Sequence, residues 1–320
     1  PDGEHLFVLG GIGNTVASYG RDALTGALAL ESLLTTSTGL AGLSGPFDAD
    51  ASPDGRHVYV AGLLDGAIWV LTYGAGDGVL AFVQQATHAL GLVNATGVAV
   101  SPDGAHVYAS GRSFIGAVIT GSIAVFARNA STGALTQLAV VQDGVEGVSG
   151  LEGGPTGVAV SPDGRFVYAA GGSSDGALTI FARSPSGLLT QTGVLRDGAG
   201  ADCLAGVYDL AISPDGDFLN TIATTDSAVC LFARDASTGA LTEIDARFQG
   251  EGGVDGLAGA ASIAVARDGR NAYVAASTDG TLVQFQTPVA TAPEPGSLAL
   301  GAAALAALAC AAQRRNARLI

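Results

Sequence analysis

Apolar residues in this chain come in short bursts separated by clusters of Gly, Asp, Ser and Pro, and the bursts recur in a fixed order. An apolar run such as Gly157-Val158-Ala159-Val160 leads into Ser161-Pro162-Asp163-Gly164. An aromatic-centred run follows, Phe166-Val167-Tyr168, with His57-Val58-Tyr59 and His106-Val107-Tyr108 as its counterparts elsewhere. After a Gly/Asp/Ser gap comes a third run, Ala177 to Arg183 or Val229 to Arg234. A turn such as Asp235-Ala236-Ser237-Thr238-Gly239 then leads to a fourth run, Ala240 to Ile244. Runs of this length, rich in β-branched and aromatic residues and bounded by turn formers, predict strands. Asp-Gly between two of them predicts a tight hairpin, because glycine takes positive φ without steric penalty.

The Asp-Gly pair recurs at Asp2, Asp54, Asp103, Asp163, Asp215 and Asp268, at intervals of 49 to 60 residues. Four predicted strands per period of about 50 residues, in tandem, indicate an all-β fold, a β-propeller of four-stranded blades. Radial packing buries both faces of each blade and leaves only short edges. Six repeats are visible. The first begins at its Asp-Gly turn and lacks an innermost strand, and the last ends after a third strand. An N-terminally truncated ring of seven blades when intact is therefore expected, with a six-bladed ring closed by shared strands as the alternative. The propeller spans residues 1–287.

Composition sharpens this picture. The chain of 320 residues has 48 Gly, 11 Pro, no Met and only 13% charged residues, against about 25% in soluble domains generally. Glycine at this level disfavours long helices, and the apolar content of 48% disfavours disorder. All 14 basic residues are Arg, and the net charge of −15 argues against nucleic acid as a partner.

The composition changes after Gln286. Residues 288–292 form a Pro/Ala/Thr linker, and residues 293–320 carry Pro293-Glu294-Pro295, an apolar run from Leu298 to Ala312, and a cluster of Arg314, Arg315 and Arg318. The run has 15 residues, short of the roughly 20 of an ordinary spanning helix. It predicts a short C-terminal hydrophobic helix, a transmembrane anchor of marginal strength with its arginines on the cytoplasmic side. Glu294 and the three arginines lie beyond residue 290, which leaves residues 1–290 with 28 acids and 11 Arg, a net charge of −17.

Two resemblances follow from these residues. The repeat Val158 to Tyr168 with Ile180-Phe181-Ala182-Arg183, and the segment Ala233 to Thr242, resemble the repeats of lactonase-type (YVTN-like) seven-bladed propellers. That resemblance implies the fold. It names 6-phosphogluconolactonases and a carboxymuconate-cyclising enzyme among the relatives, beside surface propellers of unassigned role. The order Pro-Glu-Pro, apolar helix, arginine cluster resembles the PEP-CTERM sorting signal of bacteria. It implies an exosortase-like membrane protease as partner, transient inner-membrane anchoring, and a secreted or cell-surface, extracytoplasmic location.

Candidate chemistry is sparse. His5, His57 and His106 open the second strand of their repeats, and that repeated position implies packing. His88, in or just after a fourth strand, stands apart from this pattern as a weak catalytic candidate. The turn Asp residues serve their own turns. Loops from fourth to first strands carry Asp143, Glu146, Asp197, Asp202, Glu251 and Asp255, and loops from second to third strands carry Asp65, Asp175, Asp226 and Asp279. Both sets share one face, where carboxylates could bind Ca²⁺. No other cofactor is indicated, and no catalytic constellation stands out. Arg112 and Arg196 are weak candidates for holding a substrate on that face. Cys203 and Cys230 either form a disulfide, which export permits, or stay as two buried thiols. The second is favoured because a loop Cys and a third-strand Cys are expected to exceed the Cα separation a bridge tolerates.

The favoured reading is an exported propeller that binds a surface polysaccharide or protein without an evident catalytic site. The alternative is a secreted lactonase-like hydrolase. A phosphorylated lactone, as for a 6-phosphogluconolactonase, fits poorly with an acidic, exported domain.

Overall fold

A computed structural model describes residues 4–74, 76–87, 92–115, 118–171 and 176–287. These form six antiparallel sheets in chain order. Blade 1 comprises β1 (His5–Gly10), β2 (Thr15–Arg21) and β3 (Leu28–Thr35). Blade 2 comprises β4 (Pro46–Ala51), β5 (His57–Gly62), β6 (Ala67–Tyr73) and β7 (Leu80–Thr87). Blade 3 comprises β8 (Asn94–Val100), β9 (His106–Ile115), β10 (Val118–Arg128) and β11 (Leu135–Gln142). Blade 4 comprises β12 (Gly157–Val160), β13 (Phe166–Gly171), β14 (Ala177–Arg183) and β15 (Leu189–Asp197), with the two-residue β16 (Gly200–Ala201) added in parallel at its edge. Blade 5 comprises β17 (Val207–Ile212), β18 (Phe218–Ala223), β19 (Ala228–Arg234) and β20 (Leu241–Phe248). Blade 6 comprises β21 (Ala260–Val265), β22 (Asn271–Ala276) and β23 (Thr281–Gln286). The first and last blades are three-stranded, as the phase of the repeat implies. Residues 288–320, with the linker, the Pro-Glu-Pro motif and the arginine cluster, lie outside the described residues, as do His88 and Asp175. Among the described residues no helix is long and apolar enough to cross a membrane.

Burial follows position in the blade. Second strands of the middle blades, β5 and β13, are buried at every residue because neighbouring blades cover both faces. Fourth strands such as β15 and β20 alternate with solvent along much of their length. Each pair of third and fourth strands carries a register shift at the same place, at Ser18/Tyr19, Val70/Leu71, Val125/Phe126, Ile180/Phe181 and Leu231/Phe232. A bulge there adds twist to the outer half of the blade. On β1, Phe7 and Leu9 pack toward blade 2, whereas Leu6 and Val8 on the opposite face are exposed.

A polar staple joins consecutive blades. Arg128, Arg183 and Arg234 each end a third strand and reach back to the turn of the preceding blade, to Asp54, Asp103 and Asp163, at 2.6–2.7 Å. Their Nε atoms donate to the hydroxyls of Tyr59, Tyr108 and Tyr168, and those hydroxyls donate to the carbonyls of Gly133, Gly187 and Gly239. Gly133 has φ +74, and a Cβ there would fall 2.2 Å from the His57 ring. The turn Asp residues therefore do more than was expected of them. Besides accepting from Ser52, Ser101 and Ser161 within their own turns, they hold the next blade. His57 and His106 accept from the same arginines through Nδ1 at 2.8 Å, which matches the packing role read from their repeated position.

Cys203 and Cys230 form a disulfide, with Cα atoms 6.1 Å apart. The expected pair of buried thiols is thus corrected. The loop before β17 folds down against β19 and brings the two Cα atoms inside bridging range. The bridge closes a loop of 27 residues, for which chain entropy gives about 3.5 kcal/mol of stabilisation. A Cys203→Ala/Cys230→Ala double variant should lose that amount in urea unfolding, and reductant should then leave its midpoint unchanged. An unaltered midpoint in the double variant would contradict the assignment.

Candidate functional site

The innermost strands β4, β8, β12, β17 and β21 line a central channel, a cavity of about 420 Å³. Counting back from the Ser-Pro-Asp-Gly turn, the residue four before its serine lies at the seam between neighbouring inner strands, and where it carries a side chain it lines the channel. Blades 2 to 5 place Asp48, Gly97, Gly157 and Asp209 there, and Ser262 holds the position in blade 6. Two solutions for joining neighbouring inner strands result. At Gly157 the strands approach so closely that a Cβ would sit 3.2 Å from the Asp209 backbone, and Thr156 donates to the Tyr208 carbonyl at 2.5 Å. Where Asp occupies the position, its carboxylate bridges the gap. Asp48 Oδ2 accepts from Val98 N at 2.8 Å, and Asp209 Oδ2 accepts from Ile263 N at 2.9 Å. Asp50, two residues on, does the same with Val100 N.

These three carboxylates keep some surface open to the channel but are otherwise enclosed by protein. Desolvation disfavours their charged forms. Burial, with a lesser contribution from the charge of Asp48, pushes Asp209 up to about 6. Asp50 rises to about 6 for the same reasons, and Asp48 is raised by burial. Each carboxylate oxygen of Asp48 and Asp209 accepts one backbone N–H, with Ala49 and Leu210 as the other donors. Asp209 also accepts from the Ser262 side chain, and the remaining lone pairs of the two carboxylates are available to a ligand or water.

At one mouth of the channel, Phe47 of blade 2 and Tyr208 of blade 5 meet with ring centroids 6.2 Å apart. They flank Asp48 and Asp209 in a recess of about 230 Å³ that also exposes Thr96, Thr156 and Ser262. Burial and the Asp209 charge raise the Tyr208 hydroxyl, so it stays a donor. An aromatic pair beside carboxylates and hydroxyls suits a polyhydroxylated ring, whose C–H face stacks and whose hydroxyls donate. No Arg is among the described residues lining the channel.

The residues singled out from sequence lie elsewhere. Asp143 and Asp197 accept from Leu151 N and Leu204 N, and Asp255 binds Gln249 and Gly256 N. Asp65, Asp226 and Asp279 accept from Ser44 N, Ala205 N and Ala258 N. The first three carboxylates brace their own fourth-to-first loop, and the second three tie the loop between second and third strands to the loop that enters the blade. Glu146, Asp202 and Glu251 are exposed. Among the described residues, no three His, Cys, Asp or Glu side chains are grouped to hold a metal. Arg112 donates from Nε to the Gly153 carbonyl at 2.7 Å, and Arg196 closes a turn through its amide to Ala199.

Residues 1–205 match the family described as Lactonase, 7-bladed beta-propeller. The chain belongs to this family. The match runs from the first blade through the fourth. No curated protein sequence matches the chain. Among solved structures, the periplasmic gluconolactonase PpgL of Pseudomonas aeruginosa is 25% identical, with a TM-score of 0.69 over 93% of this chain and 81% of that one. A candidate 6-phosphogluconolactonase from Bacteroides uniformis is 20% identical, with a TM-score of 0.69 over 90% and 79%. Hydrazine synthase of Kuenenia stuttgartiensis shares the fold at 18% identity and a TM-score of 0.59 over 90% and 82%. Fold alone therefore leaves the chemistry to the site.

The channel carboxylates and the turn carboxylates oppose each other in pH dependence. Asp209 and Asp50 are raised above the ordinary 3.8, so the folded state binds protons that the unfolded state releases between about pH 4 and 6. Stability from these groups falls as pH rises through that window. Asp103, held at about 2, and Asp54 and Asp163, also lowered by their serine and arginine partners, act the other way. Their contribution is lost as pH falls below about 4. Thermal midpoints measured from pH 3 to 8 should therefore peak near pH 4 and decline toward pH 6 and above. A midpoint rising steadily to pH 8 would contradict the burial of the channel acids.

Proposed function

We propose that the protein is a lactonase-type hydrolase that opens a neutral sugar lactone at the channel mouth. The observation that carries this reading is the pairing of Asp48 and Asp209 beneath the Phe47–Tyr208 aromatic pair, in a chain of the lactonase propeller family. Ring opening needs a base for the attacking water and a donor for the carbonyl oxygen. At neutral pH Asp209 is ionised yet more basic than an ordinary carboxylate, which suits it to take the water's proton and to return it to the ring oxygen as the C–O bond of the lactone breaks. Tyr208 offers the hydroxyl that hydrogen-bonds the carbonyl. The acidic, arginine-free lining disfavours a phosphorylated substrate.

The reading extends to location. The Cys203–Cys230 disulfide fits an oxidising compartment, and a relative of known structure is periplasmic. Together with the Pro293-Glu294-Pro295 motif and the terminal arginines, these support export and processing by an exosortase-like protease, leaving the propeller secreted or at the cell surface.

Proton release from a panel of five- and six-membered lactones, against the spontaneous rate, tests the activity. Turnover above buffer is expected for neutral sugar lactones. Saturable binding without turnover would instead establish a carbohydrate-binding propeller, and neither would overturn the channel as a site.

A further inference from the structure

The staple between blades changes at two junctions: between blades 1 and 2 a ring contact of Phe7 with Tyr73 replaces it, and between blades 5 and 6 polar residues do. Between blades 5 and 6, Asn220 stands where Tyr59, Tyr108 and Tyr168 stand, five residues after the turn Asp. Thr287 stands at the position of Arg128, Arg183 and Arg234. Thr287 Oγ1 donates to the Gly269 carbonyl, which reproduces one bond of the arginines, Nη1 to a glycine carbonyl of their own blade. Among the described residues nothing reproduces the rest of the guanidinium. A cavity of about 390 Å³ lies there, lined by Asn220 and Thr287 and walled by Val229, Leu231, Val254 and Phe285.

Two polar groups at this junction lack what their counterparts have. Asn220 is 2% exposed, and its side-chain nitrogen has no hydrogen-bond partner. Asp215, on the exposed turn beyond the cavity lining, accepts from the Ser213 hydroxyl and Asp217 N, and among the described residues it has no counterpart of the arginines that hold Asp54, Asp103 and Asp163.

We propose that this cavity binds an alkyl guanidinium group, the arginine side chain of a partner peptide. Three neighbouring junctions show what this part of a blade interface accommodates: an aliphatic stem against apolar walls and a planar head between a side-chain oxygen and the turn carboxylate. Asn220 can turn its carboxamide oxygen to the cation without breaking a bond from its nitrogen. The fork of a guanidinium suits two separate acceptors better than the point charge of an ammonium. The Arg247–Asp245 ion pair at the rim is mutually neutralised at 2.9 Å, and the surrounding domain is strongly acidic.

Calorimetric titration of the full chain with Nα-acetyl-arginine amide tests this, with the neutral isostere Nα-acetyl-citrulline amide as control. The arginine probe should bind at least tenfold more tightly. Asp215→Asn, on an exposed turn, should weaken it tenfold or more. The pair Asn220→Tyr/Thr287→Arg rebuilds the staple and should abolish binding while raising the thermal midpoint. Equal affinity for both probes, as for a cavity holding buried water only, would overturn the proposal. So would full binding by Asp215→Asn, which decides the matter alone if the double variant fails to fold.

Discussion

Arg128→Ala should destabilise the protein by about 3 kcal/mol, toward the lower end of the range for removing one partner of a buried ion pair. The Arg128 side chain is 1% exposed and bonds Asp54 through Nη2 to both carboxylate oxygens, Tyr59 through Nε, and the Gly104 carbonyl through Nη1. Truncation leaves Gly104 O and the His57 ring without a donor inside the interface, and it opens a cavity between blades 2 and 3. Asp54 is one-third exposed and can rehydrate, which keeps the loss below that of a fully enclosed pair. Urea unfolding measures it. Arg128→Lys should recover only part of the loss, since an ammonium cannot serve the carboxylate, phenol and carbonyl in one plane. A loss under 1 kcal/mol for Arg128→Ala would mean that blades are joined by apolar packing alone.

Asp209→Asn should lower lactone turnover by 10²- to 10⁴-fold, the usual worth of a positioned general base. The amide cannot take a proton from water, whereas its size and the bond from Leu210 N to Oδ1 are preserved. The bond from Ile263 N is lost because the amide nitrogen is a donor, so some stability is lost as well. The thermal midpoint separates the two effects: a folded variant with undiminished turnover would remove Asp209 from the chemistry. Asp50→Asn, further along the channel from the aromatic pair, should leave turnover within a few-fold of the parent.

The repeat made the architecture legible. Ser-Pro-Asp-Gly fixed the hairpin between first and second strands, and the aromatic-centred run after it marked the strand that both neighbours bury. The staple was visible letter by letter, in Tyr108, Arg183 and Asp103, yet its meaning was not. Those residues belong to adjacent repeats, and only the radial packing of blades shows that they meet. Asp143, Asp197 and Asp255 are acids in glycine-rich loops, where local context cannot distinguish a ligand from a brace for backbone amides. Asp48 and Asp209 escape notice for the opposite reason. They sit inside short apolar strand runs, and only an alignment of the repeats on Ser52, Ser101, Ser161 and Ser213 shows two carboxylates flanking two glycines at one position. The disulfide is not legible in the sequence, because the fold of the loop before β17 sets its span, and that fold is not local to either cysteine.

A crystal structure with a lactam analogue of a neutral sugar lactone, which keeps the ring and carbonyl but resists opening, tests the central claim most directly. The analogue should lie in the recess against Phe47 and Tyr208, with a ring hydroxyl or the carbonyl within hydrogen-bond distance of Asp209 or Tyr208. An empty channel mouth, or the analogue bound on the loop face beside Arg112 or Arg196, would contradict it.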